Sequence, residues 1–170
     1  MTSAPTSRAR QRIRVRSKRD TAGDLLGLLP DPQHALAWVR DGSGLVGWGE
    51  AARLEVSGPD RFAQADKWWR EFVAHLDVDD SLGVPGSGPV AFISMAFADE
   101  PGDSVLIVPE VVVGRRNGQQ WITTIGAADT APDVAPLTRP STVRYANGQL
   151  PVTQYREAVR EAVMRMRGGE

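Results

Sequence analysis

The sequence predicts an α+β protein in which antiparallel sheets are flanked by helices. Two stretches, residues 59–76 and 152–167, repeat apolar side chains at the spacing of a helix. Between them lie apolar runs separated by turn residues, and Asn117-Gly118 is a strong hairpin signal. The length of 170 residues suits one domain, and contents of 41% hydrophobic and 24% charged residues are typical of soluble globular proteins.

Composition excludes several classes of protein. The chain contains no cysteine, which removes disulfides, thiolate metal sites and cysteine nucleophiles. No run of 18 apolar residues is present, so we expect no membrane-spanning helix. The N-terminus lacks the apolar core of a secretion signal, and the expected location is therefore cytoplasmic.

The charge is distributed unevenly along the chain. Residues 1–20 carry seven basic side chains against one acidic one, whereas the remaining residues carry a net charge of −7. Residues 1–11 are predicted to be a disordered basic arm, which would suit a nucleic acid or an anionic membrane. Alternatively, Ile13 and Val15 alternate with arginines as in a half-buried strand with one charged face. No aromatic residue is interleaved with the arginines, so we favour the strand and expect neither a nucleic-acid nor a membrane partner.

The first third of the chain predicts a helical turn and a hairpin. Residues 23–32 form a short apolar stretch that Pro30 and Pro32 end. Residues 34–58 predict a hairpin that turns at Asp41 to Gly44. Glycines on both sides of Trp48 predict a bulge there.

The middle of the chain predicts one helix, a glycine-rich loop and a second hairpin. The helix begins near Pro59 and Asp60. Its predicted apolar face comprises Phe62, Ala65, Trp69, Phe72, Val73 and Leu76. The glycine-rich loop leads into a strand over residues 90–97, and the hairpin over 104–126 is interrupted by Pro109.

The last part predicts a long connection and a terminal helix. Residues 127–151 show no apolar period, which is unusual for a compact domain. Thr153 is the predicted N-cap of this helix, and Gly168 and Gly169 are predicted to end it. Glu161 and Arg165, four residues apart, are predicted to form an ion pair on its solvent-exposed face. The predicted apolar stripe comprises Val152, Tyr155, Val159, Ala162, Val163 and Met166.

Residues with catalytic chemistry are sparse. His34 lies in a loop and His75 near a helix end, and no metal-ligand spacing accompanies them. Ser87 is not preceded by a strand, as a nucleophile elbow requires, and no histidine is placed to activate it. We therefore interpret all three as structural or surface residues.

The glycine-rich loop and the paired acids also favour structural roles. A dinucleotide loop leaves a strand and opens a helix, but Gly83, Gly86 and Gly88 follow a helix and open a strand. The acidic pairs at 79–80 and 99–100 stand beside glycine or proline and are interpreted as solvated turns. No catalytic, cofactor-binding or metal-binding residue is assigned in this sequence.

Three stretches nevertheless resemble one family. They are ALAWVRDGSGLVGWGEAARLEVSGPDRF (residues 35–62), GVPGSGPVAFISMAFADEPGDSVLIVPEVVVGRRNGQQWITT (83–124) and YREAVREAVMRMRGGE (155–170). In this order they are similar to the N-terminal portion of isochorismate synthases of the actinobacterial type. The resemblance extends over residues 12–170.

That resemblance implies a fold and an activity. Isochorismate synthases belong to the chorismate-binding enzymes, with anthranilate, aminodeoxychorismate and salicylate synthases as relatives. The implied fold packs two antiparallel sheets together with helices outside. The implied reaction is Mg²⁺-dependent conversion of chorismate to isochorismate, an isomerisation that supplies menaquinone or siderophore synthesis.

The resemblance stops before the catalytic residues of the family. There, the base lysine, the acid glutamate and the Mg²⁺-binding glutamates follow the helix that residues 155–167 resemble. No position here corresponds to them, so the resemblance implies that 12–170 is the N-terminal portion of one enzyme domain, lacks the Mg²⁺ ligands and is inactive alone. A separately encoded C-terminal half would then be its partner. The alternative is a stand-alone binding or regulatory module derived from the same fold.

Overall fold

The computed structural model describes residues 12–21, 23–100, 102–127, 142–146 and 148–169. The chain divides into two compact units, residues 1–136 and 137–170. The predicted disordered arm (1–11) and residues 128–141 of the predicted long connection lie outside the described residues. The strands are β1 (Ile13–Arg19), β2 (Leu36–Arg40), β3 (Ser43–Trp48), β4 (Ala52–Val56), β5 (Leu76–Asp80), β6 (Phe92–Ser94), β7 (Ser104–Val108), β8 (Val111–Arg116) and β9 (Gln119–Ile125), and the helices are α1 (Arg61–Ala74) and α2 (Val152–Gly168).

The mixed α+β architecture confirms the predicted fold class. A six-stranded sheet has the order β2-β3-β8-β9-β1-β5, and a three-stranded sheet has the order β4-β7-β6. Every pair is antiparallel except β1 with β5, which run parallel, with Val15 opposite Val78. Residues 76–80 were not predicted as a strand, although Leu76 and Val78 alternate with aspartates at the period of one.

The six-stranded sheet carries an apolar core on each face. Val15 and Ile125 are paired neighbours on one face and contact Val108 of the smaller sheet and the aromatic residues of α1. Val46 and Val113 are paired on the other face, where a 3₁₀ turn (Leu26–Leu28) brings Leu25 and Leu29 over them. Because adjacent strand residues point to opposite sides, the alternation of the sequence divides these side chains between two cores.

Both hairpin turns form at the predicted places, but the first is shorter than the predicted Asp41 to Gly44, since Ser43 and Gly44 already belong to β3. Asp41 and Gly42 join β2 to β3, and Asn117 and Gly118 join β8 to β9, each with positive φ at both turn residues. Positive φ at both positions matches the right-handed twist of the flanking strands. In the second case the predicted first arm is divided, since β7 belongs to the smaller sheet and β8 to the larger one. Pro109, which has no N–H to donate, lies at that change of sheet.

Helix α1 confirms the predicted first helix, with corrections to its apolar face. Ala65 is buried, and Trp69, Phe72 and Val73 pack against the core with Trp68, which the prediction omitted. Phe62 is 57% exposed, so its predicted burial is wrong. Leu76 is buried, but it begins β5 instead of ending the helix.

Helix α2 lies in the second unit and is exposed along its length. It begins at Val152 after Pro151, with no side-chain cap, so the prediction of Thr153 as N-cap is wrong. Gly169 ends it with φ of 81°, as predicted, and Arg165 donates to Glu161 at 2.6 Å. Among the helices of the described ranges, none is long and apolar enough to cross a membrane.

Candidate functional site

The best-formed polar cluster lies beneath the glycine-rich loop, residues 82–88. Ser17 on β1 and Thr123 on β9 are opposite each other, and their buried hydroxyl oxygens lie 2.9 Å apart. The backbone N–H of Gly88 donates to the Ser17 hydroxyl oxygen at 3.0 Å. Two strand residues that the sequence analysis did not single out therefore anchor the loop to the sheet.

An indole ring supports the same loop from below. Trp121 is 2% exposed, and its Nε1–H donates to the carbonyl oxygen of Gly86 at 3.1 Å. A Cβ on Gly86 would lie 3.3 Å from this ring, and one on Gly114 would overlap it. Gly86 also has φ of 94°, which favours glycine. Gly86 in the loop and Gly114 on β8 thus make room for one tryptophan.

The structure brings Ser87 and Asp80 together, although the sequence did not connect them. The Ser87 hydroxyl donates to Asp80 Oδ2 at 2.6 Å, and Asp80 Oδ1 accepts the backbone N–H of Leu82 at 3.1 Å. The Ser87 oxygen in turn accepts the N–H of Val84 at 3.1 Å. These contacts close the loop upon itself. The earlier interpretation of Asp80 as part of a solvated turn is therefore wrong, since it ends β5 and is half-buried.

A second cluster is centred on Arg61, the first residue of α1. Its side chain is 4% exposed, and its guanidinium donates to the carbonyl oxygens of Gly58, Ala96 and Phe97 at 2.8 to 3.1 Å. It also donates to Asp99 Oδ1 at 2.5 Å. Asp99 is thus an ion-pair partner in addition to being a turn residue.

Arg61 also explains why the strand predicted over residues 90–97 is short. Strand β6 ends at Ser94, because the carbonyl oxygens of Ala96 and Phe97 accept from Arg61 and not from a neighbouring strand. A guanidinium group has five N–H donors in a planar arrangement, so it can donate hydrogen bonds to several carbonyl oxygens at once. No sequence pattern marks Arg61, since all of its acceptors except the carbonyl oxygen of Gly58 lie 35 or more residues further along the chain.

The two histidines are held by local contacts. His75 is the C-cap residue after α1, and its Nδ1 lies 2.6 Å from the carbonyl oxygen of Glu71. His34 Nδ1 lies 2.6 Å from Asp31 Oδ2, on the second 3₁₀ turn (Pro32–His34). The hydrogen bond from His34, followed by that from the backbone N–H of Gln33, lowers the pKa of Asp31 from 3.8. Neither histidine contacts Ser87 in the hydrogen bonds of the described residues.

The chemistry of these clusters is that of loop anchoring. No buried side-chain nitrogen or oxygen in the described residues lacks a hydrogen-bond partner. A depression of about 750 Å³ beside β4 and β7 is lined by Glu55, Ser57, Gln64 and Asp103 among others. The described ranges contain no group of three or more histidine, aspartate or glutamate side chains that could hold a metal ion.

Comparison with known proteins places these features in a family. A family model described as chorismate binding enzyme matches residues 32–167, a span that includes the glycine-rich loop, α1 with Arg61, and all but the last residue of α2. The chain belongs to the chorismate-binding enzyme family. No curated protein and no solved structure shows significant similarity to it.

Proposed function

We propose that this chain forms the N-terminal portion of an isochorismate synthase, which converts chorismate to isochorismate. The observation that carries the proposal is the family match over residues 32–167. The isochorismate type is supported by the three stretches at 35–62, 83–124 and 155–170, which are similar to enzymes of that type in order and spacing. The chain would act in the cytoplasm, in menaquinone or siderophore synthesis.

The role of this portion is to supply a rigid scaffold. Two loops are fixed in place, one to the start of α1 by Arg61 and one to the six-stranded sheet by Ser17 with Trp121. The reaction exchanges the 4-hydroxyl of chorismate for a 2-hydroxyl derived from water, which requires a base of suitable pKa and groups that stabilise the leaving oxygen. In the proposal those groups and the Mg²⁺ ligands belong to a further stretch of polypeptide, whether continuous with this chain or separately encoded.

Complementation tests this division of roles. The purified chain is mixed with a polypeptide that carries the catalytic portion of an isochorismate synthase, in the presence of chorismate and Mg²⁺. We expect isochorismate, identified by chromatography and mass, from the mixture and from neither part alone. Turnover by this chain alone, or no turnover by the mixture, would contradict the proposal.

Two controls sharpen the result. Arg61→Met should lower the yield of the mixture, because it releases the loop at 96–99, whereas Arg70→Met on the exposed side of α1 should not. The mixture is also tested with ammonia. If its product is then anthranilate or aminodeoxychorismate, the assignment to the chorismate-binding enzyme family is kept and the proposed isochorismate synthase activity is wrong.

A further inference from the structure

The turn between β8 and β9 places an asparagine next to a glycine in open solvent. Asn117 and Gly118 have positive φ, 51° and 76°, and both residues are exposed. Among the described residues, neither the Asn117 side chain nor the Gly118 N–H has a hydrogen-bond partner. A Cβ on Gly118 would meet no atom within 4 Å, so the space around its backbone nitrogen is open.

These two residues carry the chemistry that forms a cyclic imide. The backbone nitrogen of Gly118 attacks Cγ of Asn117, which forms an N–Cγ bond and releases the side-chain nitrogen as ammonia together with the former amide proton. Water then opens the ring. Hydrolysis at Cγ leaves an aspartate, whereas hydrolysis at the main-chain carbonyl leaves an isoaspartate, whose backbone runs through Cβ and Cγ. Glycine has no Cβ to obstruct the attack, and asparagine is one of the thermally labile residues of proteins.

The hairpin tip must open before the ring closes. The imide holds ψ of its asparagine outside the range that a two-residue hairpin turn requires. Opening costs little free energy at this end of the hairpin, because residues 116–119 are all exposed and their separation uncovers no apolar core. The reaction therefore depends on fraying of the last strand pair, Arg116 with Gln119.

We propose that Asn117 is a site of spontaneous deamidation, and that its isoaspartate product weakens the support of the glycine-rich loop. An isoaspartate adds one carbon to the main chain, which a two-residue turn does not accommodate without a shift of the paired strands. The strands are closely matched here, since Trp121 is opposite Gly114, where a Cβ would overlap the indole ring. The same ring donates to the carbonyl oxygen of Gly86 in the loop.

The first hairpin provides a matched control within the same chain. Asp41 and Gly42 form a two-residue turn with φ of 51° and 72°, close to the values at 117 and 118. A carboxylate is a poorer electrophile than an amide, because attack on it must expel an oxide. Under the same conditions Asp41 should therefore form isoaspartate at least about tenfold more slowly than Asn117.

Peptide mapping of the aged chain tests the site. The folded chain and the chain unfolded in urea are kept at mildly alkaline pH, and their peptides are analysed by mass and for isoaspartate. In the folded chain the peptide with Asn117 should change in mass by the difference between an OH and an NH₂ group, and should contain isoaspartate. The other asparagine of the sequence, Asn147, is mapped on a separate peptide. An unmodified Asn117 peptide after the unfolded chain has reacted completely, or equal isoaspartate formation at Asp41, would overturn the proposal.

Hydrogen exchange at Trp121 tests the structural consequence. In the chain with isoaspartate at 117, the indole Nε1–H should exchange with solvent at least about tenfold faster than in the unmodified chain, because the ring is held less firmly against Gly86. Asn117→Asp introduces the same charge without the added carbon, and Asn117→Gly keeps a favourable turn that cannot form the imide. Both variants should retain slow exchange. Slow exchange in the isoaspartate chain, or equally fast exchange in Asn117→Asp, would contradict the proposed effect on the loop.

Discussion

At the residue scale, Arg61 shows how one buried cation determines the course of a distant loop. Its guanidinium satisfies three carbonyl oxygens and one carboxylate, and its face lies 4.7 Å from the ring centre of Phe62. The positive charge is removed from water while Asp99 remains 64% exposed. The benefit of such a pair depends on full satisfaction of the buried partner, which the four acceptors provide.

Replacement of Arg61 by methionine should therefore be costly. Arg61→Met removes the part-buried hydrogen bonds to the carbonyl oxygens of residues 58, 96 and 97, and we expect the free energy of unfolding to fall by about 3 kcal/mol. Urea denaturation measures the change. Arg70→Met removes an exposed pair with Asp66 and should cost less than about 0.5 kcal/mol. Similar losses in the two variants would show that the buried contacts contribute little.

Asp31 provides a prediction about pH. Its pKa is lowered in the folded chain, chiefly by the hydrogen bond with His34, so its stabilising contribution is complete above the unfolded value near 3.8. That contribution is lost as the pH falls through the lower folded pKa. NMR titration of the Asp31 carboxyl should give a midpoint below 3.8, and His34→Ala should move the midpoint upward. A midpoint that does not change in the variant would assign the shift to another cause.

At the element scale, the glycine-rich loop is attached to the sheet by a shared pair of hydroxyls. Ser17 and Thr123 are on neighbouring strands, and the Ser17 oxygen also accepts the N–H of Gly88. Trp121 fixes the same loop through Gly86. The loop therefore depends on β1 and β9 being paired in this register.

The coupling of the two hydroxyls is measurable with a double-mutant cycle. Ser17→Ala should destabilise the chain by about 1.5 kcal/mol and increase the exchange rate of the Gly88 amide hydrogen. Thr123→Ala should cost about 1 kcal/mol, and the double variant should cost less than the sum, because both single changes remove the same hydrogen bond. Additive losses with unchanged exchange at Gly88 would contradict this arrangement.

At the scale of the whole molecule, the two units differ in how their elements are stabilised. In the first unit, Val15, Val46, Val108 and Val112 are at most 1% exposed, so strands from both sheets share buried cores. In the second unit, α2 presents nearly all its side chains to solvent. Slow opening is expected where apolar burial is dense and fast opening where it is absent.

Amide hydrogen exchange should show this difference. Amides of β8 and β9 should exchange with solvent at least about tenfold more slowly than amides of α2, because opening of these strands exposes buried apolar side chains. Equal exchange rates in the two sets of amides would show that α2 is stabilised as strongly as the sheet.

The sequence by itself determined the local features of this protein. The period of α1, the Asn117-Gly118 turn and the glycine end of α2 each depend on residues within a few positions of one another. The resemblance of the three quoted stretches also indicated the family, which the match over residues 32–167 supports. The prediction from local sequence was wrong at Thr153, because the helix begins one residue earlier and Thr153 does not cap it.

Only the tertiary structure decided the contacts between distant parts of the chain. The parallel pairing of β5 with β1, the change of sheet at Pro109 and the burial of Arg61 all follow from which surfaces meet. Ser17 and Thr123 are 106 residues apart, and Arg61 and Asp99 are 38 apart. Periodicity reports which side of an element is apolar, but it contains no information about which distant polar group satisfies another. That choice depends on the geometry of the folded chain, where buried donors and acceptors must find partners.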